Sequence, residues 1–125
     1  MRIVLLIGLG GFLGSVSRHF VSSAISRIFG AEFPYGTLAV NITGCFLLGL
    51  FMELAMEFRL IPTEPRLFLT TGFLGGFTTF STFTYETVSM LAKGGGFRAG
   101  VNAVLHLVLG LAMVWLGQLT AQRLN

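Results

Sequence analysis

Between positions 70 and 87 the chain reads TTGFLGGFTTFSTFTYET, alternating phenylalanines with hydroxyl-bearing side chains. Phe80 and Phe83 stand one helical turn apart, with Ser81, Thr82 and Thr84 between and beside them. A phenyl ring has a negative face and a positive edge, so rings presented edge-on attract a small anion without a formal charge that would trap it. Hydroxyl donors at the same level can replace part of the ion's water. Packing or lipid contact is the ordinary use of most of the 13 phenylalanines in this chain, and it competes with that chemistry here.

The residues just before the pair make a poor helix. Gly75-Gly76 followed by Thr78-Thr79 weakens helical structure at the centre of the run. Irregular backbone at membrane depth survives only where protein or a lined cavity satisfies its N–H and C=O groups. Freed carbonyls there can bind a cation, and freed N–H groups an anion.

Two other stretches carry polar lines. Thr37, Asn41, Gly44 and Leu48 recur at helical spacing, as do Asn102, His106 and Gly110. Either asparagine also suits a hydrogen bond that holds helices together. His106 also suits a satisfied interior histidine, because no second histidine or carboxylate sits at ligand spacing. Gly8 to Gly14 has the look of a dinucleotide loop but has Leu13 where the third glycine belongs, and no strand precedes it. Gly10 and Gly14 read better as a small-residue ridge for close helix contact.

The elements that position these groups follow from composition. The chain of 125 residues is 54% hydrophobic and 10% charged, with mean hydropathy +0.83. Soluble domains carry about 25% charged residues, so this chain belongs in a lipid bilayer. A crossing takes roughly 20 apolar residues. Four stretches qualify, at about 3–28, 36–56, 67–91 (with a break near 75–79) and 98–120, joined at prolines and glycines. The expected fold is an all-α membrane protein, one domain over 1–125, with four transmembrane helices and the third broken at its centre. The lone Cys45 reads as a small packing residue. Net charge is +3, but the eight Lys and Arg form no basic stripe, so no nucleic-acid partner is expected.

With four crossings, Arg2, Arg59, Arg66 and Arg123 fall on one face and Arg27, Lys93 and Arg98 on the other, with Arg18 deeper in the first helix. Orientation is set by an asymmetry of such charges. Near balance predicts insertion both ways up, and an antiparallel pair of copies.

The run GFLGGFTTFSTFTYET, the GTLAVN before the second stretch and the glycine-rich first stretch ending in Ser17-Arg18 resemble the Fluc/CrcB family of fluoride channels over essentially the whole chain. The resemblance implies a dual-topology antiparallel homodimer in the inner membrane of the cell, with two fluoride pores and a central structural sodium ion. It implies fluoride coordination by the ring edges of Phe80 and Phe83, with Asn41 in the pore. Sodium would be held by backbone carbonyls of Gly75 and Thr78 from both copies. Ser81, Thr82 and Thr84 become candidates for the fluoride path, and Asn102 and His106 for its wall on the fourth helix. Arg18 and Thr37 become candidates for an aqueous vestibule. The chain departs from the family at Gly110, where many relatives carry serine, and at His106, which would make conduction sensitive to pH.

Fluoride is strongly hydrated, so a pore must replace lost water by neutral donors and still let the ion go. The reading is passive, gradient-driven efflux that protects the cell from fluoride, without enzymatic chemistry. The alternative is a small dual-topology multidrug exporter, which needs a carboxylate in mid-membrane. The first stretch has none, and Glu53, Glu57 and Glu86 read as boundary or interhelix groups. A lytic assembly protein would not require a hydroxyl-lined break beside paired aromatics. An enzyme is disfavoured because His19 and His106 have no nucleophile and carboxylate in a recognisable order.

Compartment-sensitive reporters fused to each terminus in turn should report both orientations in comparable amounts. A single orientation for the whole population would contradict the charge-balance reading.

Overall fold

The computed structural model describes residues 1–124, and the regular structure among them is helical throughout. Three long helices dominate: α1 (Arg2–Phe29), α2 (Tyr35–Met56) and α6 (Gly96–Leu124). Each is long and apolar enough to cross a membrane. At 1.5 Å rise per residue the shortest reaches about 33 Å, against a hydrocarbon core of about 30 Å.

The remaining segment is assembled from pieces. Pro62, with φ −59° and ψ 160°, leads into α3 (Thr63–Leu67). A π-helical stretch follows (Phe68–Leu74), then α4 (Gly75–Phe77). Thr78 and Thr79 are extended, and α5 runs Phe80–Ala92. Gly30 closes α1 at φ +87°, its N–H donating to Ser26 O at 3.0 Å, and Gly94 at φ +77° turns the chain from α5 into α6. Left-handed backbone of this kind suits glycine because it has no Cβ to clash.

Helix contact depends on missing side chains. Gly10 and Gly14 of α1 are buried, and a Cβ on either would strike the backbone of Phe68 to Phe77. A Cβ on Gly49 of α2 would strike the Val114 carbonyl, and one on Gly117 of α6 the Phe46 carbonyl, so α2 and α6 meet backbone to backbone. Lipid tails are as apolar as leucine, so membrane helices associate through such close van der Waals approach and not through the hydrophobic effect.

Charged ends mark which loops share a face. Arg2 Nη2 lies 3.1 Å from Glu64 Oε2, and Arg98 Nη2 lies 3.1 Å from Glu32 Oε2. The chain start thus neighbours the beginning of α3, and the loop after α1 neighbours the start of α6. Gln122 Nε2 donates to Glu53 Oε1 at 2.8 Å, tying the end of α6 to the end of α2. The exposed ion pairs add little stability; they register an alternating up-and-down order.

Gly117→Val should lower stability by about 1–3 kcal/mol through overpacking, read as earlier thermal unfolding in detergent. A Cβ on Gly100 meets nothing within 4 Å, so Gly100→Ala should not destabilise and should gain up to about 1 kcal/mol from helix propensity. Equal effects at the two sites would contradict the backbone-contact account.

Candidate functional site

The break is made by one side chain. Thr78 still donates its N–H to Leu74 O at 3.0 Å, and its hydroxyl donates to the same carbonyl at 2.9 Å. In a continuous helix the next N–H, that of Thr79, would donate to Gly75 O. Instead it donates to Asn41 Oδ1 at 2.7 Å, and Asn41 Nδ2 donates to Thr79 O at 3.0 Å. The amide of α2 thus pairs with both polar groups of Thr79, whose φ of −153° and ψ of 114° are strand-like. Gly44 lets α2 come close enough, because a Cβ there would overlap the Thr78 methyl. Thr79 then caps α5 by accepting from Thr82 N at 3.2 Å. Arg18 Nη1 donates to Thr78 O at 3.1 Å from the α1 side.

Two recesses flank the capped end of α5. One is a cleft of about 390 Å³ bordered by Asn41, Cys45, Gly75, Phe80, Phe83 and His106, among others. No Lys, Arg, Asp or Glu lines it. The Phe80 and Phe83 ring centroids are 5.5 Å apart at 55°. Phe80 is 76% exposed. His106 lies against Phe83 with centroids 4.2 Å apart at 32°, its Nδ1 3.0 Å from Asn102 O. At Gly110, one turn along α6, a Cβ would find Cys45 Sγ at an ordinary 3.6 Å, so a serine Cβ would fit in its place.

The second recess, about 270 Å³, is bordered by Ser15, Arg18, Ser22, Thr37, Thr79 and Thr82, among others. Thr79 is common to both. Its hydroxyl donates to Thr82 Oγ1 at 2.9 Å and lies 3.4 Å from Ser81 Oγ. This recess is hydroxyl-rich and holds the Arg18 guanidinium, so it favours anions.

The polar residues predicted from the sequence therefore divide. Asn41, Gly75, Thr78, Phe80, Phe83 and His106 meet at the cleft, whereas Arg18, Thr37 and Thr82 meet at the recess. Thr84 turns its hydroxyl to Ser81 O at 2.9 Å, within its own helix. Asn102 is fully buried and donates to Thr87 Oγ1 at 2.8 Å, holding α6 to α5 instead of lining the cleft. Thr37, also buried, donates to Glu86 Oε1 at 2.8 Å, which makes Glu86 the interhelix partner of α2. Sequence reasoning gave Thr79 no role beyond weakening the helix, and Thr87 none. Neither stands out among neighbouring threonines, and only long-range contacts distinguish them.

Among the described residues no group of three or more His, Cys, Asp or Glu side chains could hold a metal, so a cation at the break would draw on backbone, hydroxyl or amide oxygens. Gly75 suits that use, since its carbonyl lacks its helical donor. Thr78 suits it less, since its carbonyl already accepts from a guanidinium.

Three crossing-length helices around a segment interrupted at its middle define an integral membrane protein of the small helical-bundle class. Residues 5–118 match the family described as CrcB-like protein, Camphor Resistance (CrcB), and the chain belongs to that family. It is 48% identical over 122 residues to the fluoride-specific ion channel FluC of Clostridium perfringens (strain 13 / Type A), covering 98% of this chain and 95% of the relative. The proteins of the same name from Geobacter metallireducens and Geobacter sulfurreducens are 46% and 45% identical over 124 residues, 99% of this chain and the whole of each relative.

Asn41→Ala leaves the Thr79 N–H without its partner, and an orphaned buried donor costs about 1–3 kcal/mol. The variant should unfold earlier in detergent, while Thr43→Ala, at an exposed position two residues on, should not. Parent-like unfolding of Asn41→Ala would contradict the clamp.

Proposed function

We propose that the chain is a fluoride channel that carries the ion passively down its gradient and out of the cell, protecting it from fluoride. The carrying observation is the cleft in which phenylalanine rings meet amide and hydroxyl groups with no charged side chain in the lining. Ring edges and neutral donors offer attraction without a trap. The ion's identity rests on the relatives, whose name is fluoride-specific ion channel FluC at up to 48% identity over nearly the full length.

In this reading residues 1–125 form one membrane domain, and α3 to α5 make a single interrupted crossing, the third of four. Arg18 and the hydroxyls around it gather fluoride at the vestibule, with Thr37 at its edge. The ion passes Ser81 and Thr82 and meets the edges of Phe80 and Phe83, with Asn41 and His106 in the surrounding wall and Asn102 bracing that wall from α6. Thr84 serves the path only by leaving its internal hydrogen bond.

The working unit is an antiparallel homodimer of dual topology in the inner membrane. The near balance of loop charges supports it, and so does the 76% exposure of Phe80, a pore-type ring with no wall opposite it in one subunit. A structural sodium ion at the dimer centre would be held by the Gly75 and Thr78 carbonyls of both copies. It would supply positive charge on the axis between the two breaks. The exporter alternative finds no support, since α1 contains no Asp or Glu.

Phe80→Ile should abolish fluoride efflux from liposomes, followed with a fluoride electrode, while the protein stays assembled by size exclusion. Undiminished flux would remove Phe80 from the path.

A further inference from the structure

His106 lies on α6 against the phenylalanine pair, and its surroundings give it a specific task. The imidazole lies over Phe83 with ring centroids 4.2 Å apart and planes inclined by only 32°. Phe83 meets Phe80 at a steeper 55°. The same imidazole is fixed from behind, Nδ1 standing 3.0 Å from the carbonyl of Asn102. Asn102 is itself fully buried and bonded to Thr87, whose hydroxyl donates to Phe83 O at 2.7 Å. The backbone and the ring of Phe83 are thus both reached from α6, through one connected set of contacts.

A carbonyl only accepts, so Nδ1 carries the proton and the neutral ring has its lone pair on Nε2. That atom is buried without a partner in the subunit. A ring covered on one face by another ring can still offer its edge, and offset stacking holds that edge in one direction. We infer that His106 is the positioning residue for Phe83, its imidazole stacking on the phenyl ring so that the Phe83 edge stays turned to the anion in the cleft. The inference rests on the fluoride-channel reading and deepens it.

The titratable groups facing this level are few: Cys45 of α2 lines the same cleft, and Glu86 lies one turn along α5, bonded to Thr37. No Lys or Arg lines the cleft.

The test compares two variants that keep opposite halves of the interaction. His106→Phe keeps a stacking ring and loses the bond to Asn102, whereas His106→Gln keeps a donor for that carbonyl and loses the ring. Fluoride efflux from liposomes is measured at about pH 7.5, above the ordinary histidine range, with leak subtracted using protein-free vesicles. His106→Gln should fall roughly five- to tenfold below the parent, the worth of an aromatic pair, and His106→Phe should recover most of that loss. Parent-like flux in His106→Gln, or flux in His106→Phe as low as in His106→Gln, would overturn the positioning role. Parent flux no greater than that of empty vesicles would instead remove the channel reading, and this inference with it.

Discussion

Everything at the centre of this protein depends on a pair of hydrogen bonds between the Asn41 side chain and the Thr79 peptide. Backbone inside a bilayer must satisfy its own polar groups, which is why helices cross membranes and loops do not. An interruption therefore needs a substitute donor and acceptor at one point, and a carboxamide has both. With the Thr79 peptide held from α2, a new helix begins at Phe80, with its N-terminal partial positive charge directed into the break. The Phe80 and Phe83 rings project from that first turn. Their placement at the cleft follows from where the helix restarts.

That arrangement tolerates little change in helix spacing. Asn41 reaches Thr79 only because Gly44 has no side chain to hold α2 away from Thr78. The π-helical stretch before the break rests on α1 through Gly10 and Gly14, and α2 is held in turn by backbone contact with α6 at Gly49 and Gly117. The glycines thus serve the ion path at a distance. They fix three helix separations at once, and the polar groups at the break are only as well placed as those separations allow. Arg18 completes the frame by giving the Thr78 carbonyl a charged donor from α1.

The three long helices were legible as apolar runs, because membrane-crossing length leaves a strong signal even in a single sequence. The weak point of the remaining segment was legible too, though not in detail. Gly75 and Gly76 look like the breakers, yet both remain in α4 while the extended residues are Thr78 and Thr79. A glycine costs a helix only about 1 kcal/mol, and Gly76 is needed where a Cβ would strike the Gly11 carbonyl. Threonine is at ease in extended backbone, and Asn41 decides the matter. Asn41 was visible as a polar position on its helix, but its partner lies 38 residues away and no local pattern announces it. For the same reason the bond of the Asn102 amide to α5 was not visible, and the contact of the His106 ring with Phe83 could not be seen at all.

The central claim is that neutral donors and ring edges at this break pass fluoride and not other halides. It is tested most directly by loading liposomes that contain the purified protein with potassium fluoride or potassium chloride, and starting efflux with a potassium ionophore. The account predicts rapid fluoride release with chloride retained as in protein-free vesicles. Comparable release of both anions, or of neither, would contradict it.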